Sequence, residues 1–264
     1  GAARRRAANG SRAMIYDKIA PFYDLFDADD PGALWHRAFV LARVEGIDAV
    51  MDVGAGTGRT AVALAERGLR VWAVEPSAGM RGVMLARLGD DTSLDDRLTI
   101  VPADAQTCDL GRTFSLAVFS HALYLLEGPA ARAAALANLA RHLAPGGRLI
   151  ADFALEEGRV ERPRALAAER RIGEAIYRRF SESRRAGDRL WQVTWAFEVE
   201  IDGRVVEDFG ETFRVTTATL AECRMALADA GFRPVAEFAD YSGASLGDPG
   251  DASRYVVEAR KTDS

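Results

Sequence analysis

Val50-Met51-Asp52-Val53-Gly54-Ala55-Gly56-Thr57-Gly58-Arg59-Thr60 is the stretch that decides the fold. A short apolar run from Ala49 to Val53 ends in three alternating glycines, and an apolar-periodic segment with Val62, Leu64 and Ala65 follows before Gly68. That order predicts a buried strand, a tight loop and a helix. The glycines let the backbone turn sharply and leave room for a ligand close to it. The helix N-terminus adds free N–H groups and a partial positive charge.

The pattern repeats downstream. Arg70-Val71-Trp72-Ala73-Val74-Glu75-Pro76 reads as a second buried strand ending in an acid, 23 residues beyond Asp52. A carboxylate there can accept from both hydroxyls of a ribose. Ser77 is placed to cap the next helix. Leu98 to Val101 gives a third strand, followed by Pro102-Ala103-Asp104-Ala105. Phe114 to Ser120 gives a fourth, followed by His121-Ala122-Leu123-Tyr124. A helix over 129–142 leads to a turn at Pro145-Gly146-Gly147 and a fifth strand through Ile150. Strands alternating with helices predict a parallel sheet, with the ligand crevice at the strands' C-terminal ends.

The dinucleotide fingerprint Gly-x-Gly-x-x-Gly would need a third glycine at Arg59; here it is Gly58. With Asp52 ahead of it, this spacing resembles motif I of the class I S-adenosylmethionine-dependent methyltransferases. Glu75-Pro76-Ser77-Ala78-Gly79-Met80 is similar to the family's acid-x-Ser-x-x-Met run, and Asp104 stands where the family has an adenine-binding acid. Leu143-Ala144-Pro145-Gly146-Gly147-Arg148-Leu149 resembles a later family segment. Tyr16-Asp17 and Tyr23-Asp24 resemble the segment that precedes motif I in many small-molecule methyltransferases. The pair Phe114-Ser115 departs from the family's usual Phe-Asp. The likeness covers roughly residues 50–150 and runs toward natural-product and amino-sugar N-methyltransferases.

The resemblance implies a Rossmann-like α/β fold: a seven-stranded, mostly parallel sheet with helices on both faces. It implies S-adenosylmethionine as cofactor, held by Asp52, Gly54, Ala55, Gly56 and Gly58 of the loop. Glu75, Pro76 and Met80 would follow on the second strand's end, then Asp104, Ala105 and Ser120. Tyr16 would reach the cofactor and Tyr23 the substrate. Met80 reads equally as core packing, and Asp104 alone also reads as a helix cap. His121 and Tyr124 follow the fourth strand, near the expected methyl position. They are the candidate catalytic residues, His121 as base and Tyr124 as orienting group. His121 is read as the only histidine in the site, and His142 as structural.

Composition narrows the alternatives. The 264 residues are 48% hydrophobic and 28% charged, ordinary for a globular chain. A net charge of -5 leaves no overall basic footprint for nucleic acid. Lys18 and Lys261 are the only lysines, and the abundance of arginine and alanine reads as a GC-rich genome. Cys108 and Cys223 suggest neither a disulfide framework nor a zinc site, and the histidines lack metal-ligand spacing. With no membrane-length apolar run and no signal-peptide core, a cytoplasmic location is expected.

Residues 1–13 read as a mobile tail, 14–154 and 217–264 as the core, and 155–216 as an insert. Residues 155–183 are charged and helical in pattern. Trp191, Val193, Trp195, Phe197, Val199 and Ile201 alternate with mostly polar residues, and Asp202-Gly203 turns the chain into a β-hairpin. The insert's aromatics read as sheet cover or dimer contact before substrate lid. Thr219 with Glu222 gives a capping-box pattern for a last helix.

The expected function is methyl transfer from S-adenosylmethionine to a nitrogen or oxygen of a small-molecule acceptor. No nucleic-acid or membrane partner and no metal are expected, and a homodimer is one option. The alternatives are a peptide N-methyltransferase, a dinucleotide oxidoreductase, which Gly58 and Asp104 oppose, and a non-catalytic cofactor binder.

Overall fold

The computed structural model describes residues 16–26, 31–89, 92–247 and 252–262. The sequence also reads as a helix over 31–45 opened by Pro31 and capped by Asp30; that cap and the expected tail over residues 1–13 lie outside the described residues.

Short apolar runs form the strands of the main sheet. They are β1 (Ala49–Val53), β2 (Arg70–Val74), β3 (Leu98–Val101), β4 (Phe114–Phe119) and β5 (Leu143–Ala154). The chain closes the sheet with β10 (Phe232–Phe238) and β11 (Arg254–Lys261). The order is β10-β11-β5-β4-β1-β2-β3. The pairings β1–β2, β2–β3, β1–β4 and β4–β5 are parallel, while β11 runs antiparallel to both β5 and β10. Apolar clusters lie on the two faces of this sheet, one including Met51, Phe119 and Leu139 and the other Val50, Leu64 and Val118. Helices α2 (Pro31–Leu41), α3 (Arg59–Glu66), α4 (Ala78–Leu88), α5 (Gly128–Arg141) and α6 (Leu220–Asp229) cover those faces, and the four-residue α1 (Ala20–Tyr23) lies against α4. After β3 the chain returns to the other side of β1, so the strand order reverses between β1 and β4. Their C-terminal ends open the crevice where open α/β sheets bind ligands.

The insert differs from expectation. Residues 155–183 hold strands rather than helices. Four strands, β6 (Arg162–Ile172), β7 (Ala175–Gly187), β8 (Leu190–Ile201) and β9 (Arg204–Thr216), form one antiparallel sheet in sequential order. Arg, Glu and Ala favour helices locally, but pairing with β8 decides the conformation of β7. β6 is the outer strand and is exposed along almost its whole length, so it carries no alternation to read. The β8–β9 hairpin forms as expected, with Asp202 and Gly203 at φ 51° and 72°.

One face of the insert packs on the core. Trp191, Val193, Phe213 and Val215 cluster with Ala154 and Tyr124. Phe197 packs with Ile19 and Phe26, with Phe22 and Phe209 alongside. Glu156 fastens the join: its carboxylate accepts from Trp191 Nε1 at 3.1 Å and from the Thr217 hydroxyl, and pairs with Arg185. At the start of α6 the Thr219–Glu222 capping box is present in full. Among the described residues no helix is long and apolar enough to cross a membrane.

The loop after β3 is braced from behind. Asn138 on α5 is fully buried and donates to the carbonyls of Ala105 and Cys108, both at 3.0 Å. His142 continues the brace, with Nδ1 2.9 Å from Asn138 O and Nε2 accepting from Leu110 N at 3.1 Å, so it is structural as expected. Asn138→Ala strands two buried carbonyls. It should cost about 1–3 kcal/mol in urea unfolding; a loss within error of zero would show that the brace carries no stability.

Candidate active site

The glycine loop turns as its sequence requires. Gly54, Gly56 and Gly58 lie at φ 66°, 57° and 78°, the left-handed region that side chains disfavour. A Cβ at Gly58 would sit 2.3 Å from Met84 Cγ on α4, so this glycine also sets the approach of α3 to α4. Gly54 N donates to Val74 O at 2.8 Å, which ties the loop to the end of β2.

Two buried acids flank this loop. Glu75 Oε2 accepts from Gly56 N at 2.9 Å and Oε1 from Ser77 N at 2.8 Å. Burial raises its pKa, against the pull of those two N–H groups. Asp52 is 4% exposed, and its Oδ2 has no hydrogen-bond partner. Burial, with the nearby Glu75 charge, pushes Asp52 up to about 7. A buried carboxylate oxygen left unmatched is costly, and Asp52 is one of the residues lining the cleft between the loop, α2 and the end of β4. That oxygen and its negative charge fit a cationic ligand group.

The N-terminal segment is tied across the loop by two aspartates that sequence reading passed over. Asp17 accepts from Ser77 Oγ at 2.6 Å and Gly79 N at 3.1 Å. Asp24 accepts from Thr57 Oγ1 at 2.8 Å, and pairs with Arg59 at 3.3 Å and with Arg87. The repeated Tyr-Asp pair in the sequence was the available signal. These ties hold Tyr16, itself at φ 79°, and Tyr23 edge-to-face at 5.7 Å beneath Trp195 of the insert. Tyr16 also reaches Phe213 at 5.4 Å.

The end of β4 meets a polar cluster drawn from four segments. His121, at φ 59°, donates its backbone N–H to Asp152 Oδ1 at 2.6 Å. Fully buried Asp152 also accepts from Tyr241 OH at 3.0 Å and Arg254 at 2.5 Å. Arg254 NH1 lies 2.7 Å from His121 Nδ1. A guanidinium only donates, so Nδ1 accepts and neutral His121 carries its proton on Nε2. Burial, then Arg254, holds the imidazole's pKa well below its ordinary value. Arg254 also approaches the Tyr124 ring, 5.9 Å from its centroid. His36 on α2 joins the cluster, 4.9 Å from His121 and 4.6 Å from Tyr241. His121 is therefore not the site's only histidine. An acid inside the apolar run Ile150-Ala151-Asp152-Phe153 was the signal for Asp152; nothing local marks His36, Tyr241 or Arg254.

The remaining expected residues fall as follows. Ala55 N donates to Val74 O at 3.2 Å, and Ser120 is buried beside His121. The Pro76 carbonyl accepts from Arg81 at 2.8 Å, and Met80 is 2% exposed. Asp104 caps its own turn, accepting from Gln106 N, Thr107 N and Thr107 Oγ1 at 2.7–2.9 Å, with Ala105 buried beside it.

The family model described as "Methyltransferase domain" matches residues 50–147. The chain is 29% identical over 196 residues to the cypemycin N-terminal methyltransferase of a Streptomyces species, covering 74% of this chain and 76% of that one. Its fold is similar to that of an S-adenosylmethionine-dependent methyltransferase from Clostridium acetobutylicum ATCC 824. That match has a TM-score of 0.74 and 17% identity over 95% of this chain and all of the other. It is also similar to an S-adenosylmethionine-bound amino pentose methyltransferase from Micromonospora echinaspora, at TM-score 0.69 and 24% identity, covering 86% and 92% of the two chains.

A carboxyl whose pKa rises on folding holds its proton more tightly in the folded chain. Ionising Asp52 therefore costs stability, and the cost grows from about pH 4, where the unfolded group ionises, to about pH 7. Asp52→Asn should stabilise the ligand-free protein progressively over that window and level off above it. A shift of about three pKa units sets a ceiling of ~4 kcal/mol. Thermal unfolding across pH checks this; a variant less stable than its parent at pH 8 would contradict it.

Proposed function

We propose that this methyltransferase transfers the methyl group of S-adenosylmethionine to a nitrogen or oxygen of a small molecule in natural-product metabolism. The observation that carries the reading is the pair of buried acids flanking the glycine loop, one of them with an unmatched oxygen on a residue that lines the cleft. S-adenosylmethionine is the cofactor, and its sulfonium supplies an activated methyl group when bound.

This chain's residues do the rest. Asp52 offers negative charge to the cofactor's cationic portion, and Glu75 offers a carboxylate to its ribose hydroxyls. Asp17 and Asp24 fix the N-terminal segment over the loop. Tyr16, Tyr23 and the insert's inward aromatics exclude water from the transfer site. His121 and Tyr124 line the acceptor side. With Nδ1 taken by Arg254, His121 presents a neutral Nε2–H and orients an acceptor by donation rather than acting as base. Rate then comes mainly from alignment of nucleophile and methyl group. Likeness to an N-terminal methyltransferase supports a second reading, in which the acceptor is a peptide's terminal amine.

Calorimetry should show binding of S-adenosylmethionine and S-adenosylhomocysteine but not NAD. Glu75→Ala should weaken that binding about tenfold or more, as charged hydrogen bonds are lost. NAD binding without heat from either sulfur nucleoside would overturn the reading. His121→Ala should keep cofactor affinity and lose less than the roughly 10²-fold in turnover that a general base commands. A larger loss, titrating with pH, would restore the base assignment.

A further inference from the structure

Resting on the methyltransferase reading, we propose that Glu211 selects a basic amine as acceptor: its carboxylate holds the ammonium group and takes its proton before transfer.

Glu211 lies on β9 between Phe209 and Phe213, on the strand face that turns toward the core. It stands opposite Trp195 in the β8–β9 register. Around it the rings of Tyr16, Tyr23, Trp195 and Phe213 make one enclosure, with neighbouring centroids 5.2–6.2 Å apart. Packing alone asks for an apolar residue at this position, as at Phe209 and Phe213 on either side. Glu211 Oε2 is instead shielded from solvent and has no hydrogen-bond partner. An unmatched carboxylate oxygen among aromatic faces is unfavourable by itself. It becomes favourable when a cation enters, because the carboxylate and the ring faces both attract positive charge. A neutral hydroxyl gains little from either.

The groups facing Glu211 agree with a proton-accepting role. Burial raises its pKa and Asp17 adds to the rise, while Lys18 on the same segment opposes it. Burial raises the Tyr16 pKa, and the Glu75 and Glu211 charges are both close enough to add to the rise. From β7, Arg179 lies 5.2 Å over the Trp195 ring. A carboxylate with a raised pKa is a better base toward an ammonium ion.

The step balances. The ammonium N–H bond breaks, its proton goes to Glu211, and its electron pair stays on nitrogen. That pair forms the new N–C bond to the methyl carbon. The C–S bond breaks, with its electrons going to sulfur, leaving a neutral thioether and a methylated ammonium ion. Glu211 then returns its proton to water.

The test needs no knowledge of the natural acceptor. The full chain, saturated with S-adenosylhomocysteine, is titrated in a calorimeter at pH 7 with cyclohexylammonium chloride and, separately, cyclohexanol. The parent should prefer the cation by about tenfold or more. Glu211→Gln should erase the preference while leaving S-adenosylhomocysteine affinity unchanged, and Glu211→Asp should keep part of it. Equal affinities, no binding of the cation to the parent, or a preference that survives Glu211→Gln would overturn the proposal. Failure of S-adenosylhomocysteine to bind would count against the methyltransferase reading instead, and the same cation-against-alcohol comparison is then read on the ligand-free protein.

Discussion

Two carboxylates buried side by side, at the ends of neighbouring parallel strands, are the constraint on which the rest of this site depends. Glu75 is matched by two backbone N–H groups, one from the glycine loop and one from the start of α4. Asp52 keeps an unmatched oxygen and a pKa raised to about 7. Bringing two like charges together out of water costs folding energy. The left-handed turn at Gly56 lets a backbone N–H reach one of the two acids. The other stays unmatched and ionisable near neutral pH, the form of pre-organisation that a cationic nucleoside can exploit.

The cover follows from that frame. Asp24 ties the N-terminal segment to the loop by accepting from Thr57, and Asp17 ties it to the start of α4 by accepting from Ser77 and Gly79. Fixing it there places Tyr16 and Tyr23 under β8 and β9, whose inward aromatics find their burial against this segment. The insert is thus packed cover for the N-terminal segment, and in the proposed function the same face forms the acceptor wall. On the far side, Asp152 gathers His121, Tyr241 and Arg254 into one hydrogen-bonded group. The left-handed backbone at His121 is held by that group, a local strain of the kind found at functional sites.

The core was legible because its signals are local. Glycine spacing, buried runs ending in acids, the Ser77 cap and the Thr219–Glu222 box each sit within a few residues. The insert's first half was not legible: β6 is exposed along almost its whole length and β7 is half-buried on both faces, so these Arg- and Glu-rich strands carry helix-like composition and no period-two pattern. The polar cluster at His121 was legible only in part. His36, Asp152, Tyr241 and Arg254 come from α2, β5, the loop after β10 and β11, and no spacing in the chain announces their meeting. His121 stood out by its place after β4, but the partner that fixes its ring, Arg254, is 133 residues away. Glu211 shares the period-two face of Phe209 and Phe213, and only the register with Trp195 shows which rings it meets.

The central claim is that Asp52 is kept ionisable and unmatched so that a positively charged cofactor can complete it. Proton linkage tests this most directly. Calorimetric titration of S-adenosylmethionine across pH 5.5–8.5, in two buffers of different ionisation enthalpy, reads affinity and proton release together. The account predicts that binding releases a proton below about pH 7, that affinity rises there by up to about tenfold per pH unit, and that both effects vanish in Asp52→Asn. Tight binding with no proton release at any pH, or an unchanged pH profile in Asp52→Asn, would contradict it.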